Sequence, residues 1–198
     1  MNRAHRLIGV ITSGIMIALT GCGAATGAAP QPTQQSAAQP ASPIPPVKNP
    51  RDVTALAKRP CELLTARQAQ EFGLGLRPKQ YDFVLGTVGC EWATTSPAQE
   101  TVRQVNISTF TNNPTLEVVY SKDQNRPFFE LTTIAGYPAI ATRTNRDIPI
   151  CDIYVKPAER QSFTLTYEGL EFRSNPQQSC EVGKQVAAAV LMNLPLKS

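Results

Sequence analysis

Five cysteines are the residues best equipped for chemistry in this 198-residue chain. Cys22 stands alone near the N-terminus, and the others fall as Cys61 with Cys90 and Cys151 with Cys180, 29 positions apart in each case. No two of them make a Cys-x-x-Cys motif, which removes thioredoxin-type exchange, and the close pairs that build zinc ribbons are missing too. Two disulfides are then the natural use of the four downstream thiols, provided that the chain reaches an oxidising compartment. Among the three possible connectivities, Cys61 with Cys90 and Cys151 with Cys180 is favoured because both bridges are local in sequence, each closing a loop worth about 3.6 kcal/mol in the chain-entropy model. The equal spacing hints at a duplicated half-domain, but the flanking residues match poorly, and coincidence is the simpler reading.

Cys22 supplies the argument for that compartment. Arg3 and Arg6 precede an apolar run from Leu7 to Leu19, and the small residues Thr20 and Gly21 follow it. The run is shorter than the roughly 20 apolar residues of a spanning helix and is diluted by Gly9, Ser13 and Gly14, so residues 1–21 read as a secretory signal to be removed. Leu19-Thr20-Gly21-Cys22 resembles the bacterial lipobox, in which a thioether lipid is placed on the cysteine and cleavage occurs before it. A diacylglyceryl group carries two chains and makes a stable anchor. The expectation is lipidation at Cys22 and residence on the extracytoplasmic face of the cell membrane, with an uncleaved anchor or a free thiol as the alternatives.

Removal of residues 1–21 would take Arg3, Arg6 and the only histidine, His5, lowering the net charge from +4 to +2. A mature chain without histidine cannot build a Ser-His-Asp or Cys-His nucleophilic site, and it lacks the commonest zinc ligand. No cofactor and no metal is expected. The basic residues are scattered, with Lys58-Arg59 the sole adjacent pair, so no nucleic-acid partner is expected either.

Three other groups have the chemistry for a site. Asp147, Asp152, Glu168 and Glu171 lie near predicted strand ends and could supply an acid and a base to a hydrolase or transferase. Phe128, Phe129, Tyr137, Tyr154 and Tyr167 could line an apolar cavity, although at strand spacing aromatics are more often core. Arg143 and Arg146 share a predicted loop and could contact lipid head groups or an acidic partner, the ordinary reading being a solvated loop.

The elements that must position these residues follow from pattern. Gly23 to Pro50 holds seven prolines and one charge, Lys48, a composition that cannot bury a core; residues 22–51 read as a lipidated, disordered tether. If flexible it spans about 30 Å. Residues 52–198 are one domain. Thr65 and Gln68 form a capping box for a first helix stopped by Gly73, and Asn113-Pro114 precedes a short second one. Asn175 and Pro176 start a last helix with Cys180, Gly183, Ala187, Val190, Leu191 and Leu194 on one stripe, ended by Pro195. Between them the period is two: Val105, Ile107 and Thr109; Cys151, Ile153 and Val155; Phe163, Leu165 and Tyr167. Phe128–Ile134 and Pro138–Thr142 predict two strands joined by a hairpin through Ala135-Gly136-Tyr137. Gly89-Cys90-Glu91-Trp92 places Cys90 and Trp92 on one strand face, so the ring should pack over a disulfide. The class is α+β: a mainly antiparallel sheet with helices packed on one face.

On these motifs the chain resembles a family of actinobacterial lipoproteins grouped as a domain of unknown function, number 3558, which includes LprB-like lipoproteins. The residues that carry the resemblance are the lipobox at Cys22, the Pro-rich tether, Pro60-Cys61-Glu62-Leu63-Leu64-Thr65, Gly89-Cys90-Glu91-Trp92, Gly136-Tyr137-Pro138-Ala139, Cys151-Asp152-Ile153 and Ser179-Cys180-Glu181-Val182. Ser179 stands where a proline is common. The resemblance implies an envelope lipoprotein and brings no catalytic residue with it. The functional expectation is a non-catalytic binding or accessory domain for an envelope protein or a small apolar ligand, held to the membrane by its lipid; the alternative is a carboxylate-based envelope hydrolase or transferase.

Overall fold

A computed structural model describes residues 42–83, 86–95, 101–113 and 115–197. The predicted signal, Cys22 and the tether as far as residue 41 lie outside the described residues. Seven strands form one antiparallel sheet: β1 (Lys79–Asp82), β2 (Val88–Thr95), β3 (Thr101–Phe110), β4 (Phe128–Ile134), β5 (Tyr137–Arg143), β6 (Ile150–Ala158) and β7 (Gln161–Gly169). Their spatial order is β1-β2-β3-β7-β6-β5-β4. Two meanders, β1 to β3 and β4 to β7, thus meet at the central β3–β7 pair, which runs in unbroken register from Arg103 opposite Gly169 to Phe110 opposite Ser162. With helices α1 (Ala66–Glu71), α2 (Thr115–Asp123) and α3 (Gln178–Asn193), the class is α+β as expected.

Alternation on the central strands decides where the main core lies. Val105 and Ile107, Phe163, Leu165 and Tyr167, and Cys151, Ile153 and Val155 are all buried and belong to one cluster with Val186, Ala187, Val190 and Leu191 of α3. Gly183 lets the helix lie this close, since a Cβ there would meet Ile153 Cδ1 at 2.7 Å and Tyr167 Cβ at 3.1 Å. Cys180 of α3 bonds Cys151 of β6, and Cys61, in a single 3-10 turn before α1, bonds Cys90 of β2; both pairs are 5.1 Å apart at Cα. Trp92, 1% exposed, shares the cluster with Cys90. α1 is short, and its reciprocal capping box between Thr65 and Gln68 satisfies N-terminal amides that six residues of helix cannot. The β4–β5 hairpin turns on Ala135 (φ 48°) and Gly136 (φ 85°), the positive pair that a two-residue type I′ loop requires.

Four features depart from the sequence reading. α2 packs on the opposite face from α3, because Ile140 of β5 points away from the main core and Leu116 and Val119 cover it in a separate cluster. α3 begins at Gln178 with Gln177 as its N-cap; Asn175 and Pro176 sit in a preceding turn whose carbonyls accept from Gln178 and Ser179. β1 was not foreseen: it is an edge strand with only Tyr81 partly buried, so it carries no apolar alternation. Finally, the folded part reaches back into the expected tether. Ile44 is 6% exposed within the α2 cluster, Tyr137 Oη donates to the Asn49 carbonyl at 2.8 Å, and Arg51 bridges to Leu196.

Candidate functional site

The face opposite α3 is covered by α2 over β5, β6 and the start of β7, where Ser162 Oγ donates to Thr115 Oγ1, and beside it lies a cleft of two adjoining lobes. One, of 280 Å³, is lined by Tyr81, Phe83, Glu91, Asn106, Ser108, Thr164 and Thr166. The other, of 270 Å³, shares Phe83, Thr164 and Thr166 and adds Phe110, Asn113, Thr115, Asp152, Tyr154 and Leu165. The strand register explains this composition. Glu91, Asn106, Thr166 and Asp152 stand in one row across β2, β3, β7 and β6, and Gly89, Ser108, Thr164 and Tyr154 in the next. These are the residues between the buried ones, so the alternation that fills the core also lays out a polar surface behind it.

Gly89 shapes one wall. A Cβ at this position would meet the Tyr81 ring at 2.4 Å and Ser108 Oγ at 2.7 Å, so its absence lets Tyr81 fold inward, with its hydroxyl 3.3 Å from Ser108 Oγ. Edge-to-face contacts at 6.2 Å then run from Tyr81 to Phe83 and from Phe83 to Phe110, giving the cleft an aromatic rim. Opposite, Asp152 accepts from the Thr166 hydroxyl at 2.8 Å and lies 3.8 Å from the Arg126 guanidinium. Burial, reinforced by the charge of Asp152, pushes the Tyr154 hydroxyl up to about 12. The lining holds two carboxylates, no basic side chain, amides, hydroxyls and ring edges. Such a set can hydrogen-bond and stack on a polar ligand.

The predicted site residues scatter by comparison. Among the aromatics, Tyr154 alone lines the cleft. Tyr167 is core and stacks on Phe172, Tyr137 is buried beneath Asn49 and Arg51, Phe128 packs against the main core, and Phe129 meets Tyr120 edge-on in the α2 cluster. Among the carboxylates, Asp147 is exposed and Glu171 pairs with Arg103 at 2.6 Å, which leaves Asp152 and Glu168 as diagonal neighbours on adjacent strands. The cleft's own acids, Glu91 and Asp152, are three strand steps apart, about 14 Å, beyond the roughly 5–9.5 Å that paired glycosidic carboxylates use. Arg143 is no solvated loop residue: it ends β5 and is buried. Tyr81, Phe83 and Phe110 were missed because an aromatic at a strand edge carries no signal separating rim from core.

Among the described residues, no group of three or more His, Cys, Asp or Glu could hold a metal ion, and no helix is long and apolar enough to cross a membrane. A larger hollow of 440 Å³ lies between Pro45–Asn49 and the Ala135-Gly136 turn; of its polar groups, the Tyr137 hydroxyl is already engaged by the Asn49 carbonyl and Arg51, leaving Lys48, Thr133 and the Asn49 side chain. No curated protein and no solved structure matches the chain. The sequence pattern of the family described as protein of unknown function (DUF3558) matches residues 17–193, and the chain belongs to that family.

Proposed function

We propose that the protein is a cell-envelope lipoprotein of the LprB-like actinobacterial kind, anchored on the extracytoplasmic face through Cys22, and that its domain is a non-catalytic binding module working through the two-lobed cleft. The observation that carries the binding role is the cleft itself: an aromatic-rimmed surface of mixed polar and apolar groups on strands whose other face is packed solid. Its mixed lining suits a ligand or partner segment that presents hydroxyl or amide groups beside apolar or aromatic surface. The hydrolase alternative rests on Asp152 and Glu168, and it is weakened because Asp152 is taken up by the Thr166 hydroxyl and the Arg126 guanidinium and Glu168 does not line the cleft. The lipobox-like Leu19-Thr20-Gly21-Cys22 supports the anchor.

Photo-crosslinking in intact cells tests the binding role. A photoreactive residue at Thr164, which lines both lobes, should capture a discrete species identified by mass spectrometry, whereas one at the exposed Gln185 of α3 should not. Equal capture from both positions, or none from Thr164, rejects the cleft. The anchor is tested separately by Cys22→Ala, which should abolish lipid labelling and membrane retention; unchanged retention rejects the lipoprotein reading.

A further inference from the structure

The end of β5 carries a feature unrelated to the cleft, on the α3 side of the sheet. Arg143 is 4% exposed, a depth at which arginine is rarely found without a carboxylate partner. Among the described residues it makes no ion pair. Nη1 donates to Gln177 Oε1 at 3.3 Å, Nη2 to the carbonyls of Asn145 and Arg146, and buried Nε has no acceptor. Burial lowers the guanidinium pKa, and the attraction of Asp147, an exposed residue, is countered by Arg146. The two carbonyl contacts explain a structural job, fastening the loop after β5. They leave an uncompensated buried charge and an unused donor.

A cavity of 260 Å³ opens at this point, lined by Pro127, Phe128, Arg143, Arg146 and Gln177. Arg146 brings a second guanidinium; its Nε is fixed on the Pro127 carbonyl at 2.8 Å, and it too has no ion-pair partner among the described residues. Gln177 is the N-cap of the 16-residue α3, and its side chain does not cap the helix. The first amides of α3 are already spent on the preceding turn, Gln178 N on the Asn175 carbonyl, Ser179 N on that of Pro176 and Cys180 N on that of Gln177, so the positive character of the hollow comes from the two arginines. Two guanidinium groups without carboxylate partners around one hollow fit an oxyanion with several acceptor atoms and more than one negative charge.

We propose that this cavity is a phosphate-binding site, with Arg143 as its buried cation and Arg146 as its outer clamp. The phosphate belongs either to a soluble ion or ester or to a lipid headgroup, and the shared chemistry is the phosphate itself. Binding supplies the counter-charge that Arg143 lacks and an acceptor for the remaining guanidinium donors.

The test uses the full chain in neutral detergent, titrated calorimetrically with inorganic phosphate against sodium chloride of matched ionic strength. Saturable binding is expected, with a rise in unfolding temperature that chloride does not reproduce. Arg146→Ala, an exposed position, should weaken binding by about tenfold or more, the scale of one charge-assisted hydrogen bond. Arg143→Gln should abolish it, and Lys122→Ala on α2 should leave it unchanged. If Arg143→Gln does not fold, Arg146→Ala and Lys122→Ala still decide. No phosphate binding beyond the chloride control, or binding by Arg146→Ala equal to wild type, overturns the proposal. Glycerol 3-phosphate and short-chain phosphatidic acid in the same detergent then separate the sources. Similar affinities for glycerol 3-phosphate and inorganic phosphate mark a soluble ligand; a much tighter phosphatidic acid complex that Arg146→Ala loses marks a headgroup.

Discussion

The two faces of β3, β7 and β6 are written by alternate residues of the same strands, yet one is almost wholly apolar and the other is mixed. On one lie Val105, Ile107, Phe163, Leu165, Tyr167, Cys151, Ile153 and Val155, sealed under α3. On the other lie Asn106, Ser108, Thr164, Thr166, Asp152 and Tyr154, with α2 covering only one side. A pleated sheet can therefore carry stability and recognition in one segment with little interference, because neighbouring side chains never share a face. Both disulfides belong to the sealed side, each tying a helix or helix start to a strand, so durability is concentrated behind the surface offered to a ligand.

The sealed face should respond most to substitution. Cys151→Ala with Cys180→Ala opens a 29-residue loop and should lower stability by about 3.6 kcal/mol in urea unfolding, with any strain in the native bridge reducing that figure. Non-reducing peptide mapping should return Cys61–Cys90 and Cys151–Cys180 and no cross-linked alternative.

Next in size is the boundary of the domain. A chain starting at Asp52 loses Ile44 from the α2 cluster, the Asn49 acceptor of Tyr137 and the Arg51 donor to the same hydroxyl. It should be less stable than one starting at Ser42 by about 2–4 kcal/mol, from one buried aliphatic side chain and a hydroxyl stripped of its partners. Equal unfolding midpoints would restore residue 52 as the start of the fold.

Alkaline titration probes both faces at once. Burial pushes Tyr154 and Tyr167, one on each face, up to about 12, whereas an unfolded tyrosine titrates near about 10. Between those values the unfolded chain has lost protons that the folded chain keeps, so stability should fall as pH rises from 10 to 12, by up to about 1.4 kcal/mol per pH unit for each tyrosine. Lys156 and Lys184 act in the same direction. Desolvation opposes their charge, but Glu159 and Glu117, and Glu181 and Glu130, hold their pKa values above normal, and that contribution disappears as pH rises through the folded values. Denaturant midpoints at pH 9 to 12 measure the slope, and Tyr154→Phe and Tyr167→Phe should each remove part of it.

Much of the sealed face was legible in the sequence and little of the open one. Burial enforces alternation, and alternation is visible: the triplets of β3, β6 and β7, the α3 stripe and the Thr65 capping box all appear where apolar spacing and cap chemistry put them. The open face is made of the residues in between, such as Asn106 and Thr164, whose types are ordinary for any solvated strand. Its lining depends on β3 pairing with β7, a contact between residues about 60 positions apart that no local pattern announces. The side taken by α2 was hidden for a related reason, since Leu116 and Val119 show that the helix has an apolar stripe but not which face of the sheet offers Ile140. Arg143 misled because a charged residue after a strand usually reaches solvent; its burial is set by Gln177 and the loop carbonyls that fold over it.

The division between the faces is tested most directly by measuring stability and crosslinking on the same two variants, each carrying the photoreactive residue at Thr164. Phe83→Ala with Asn106→Ala alters only the cleft and should change urea stability by less than about 1 kcal/mol while abolishing capture in cells. Val190→Ala, fully buried on the sheet-facing side of α3, should cost about 1.5–3 kcal/mol and leave capture intact wherever the protein is folded. Loss of capture in the Val190→Ala protein at full native structure, or retained capture in the cleft variant, would contradict the account.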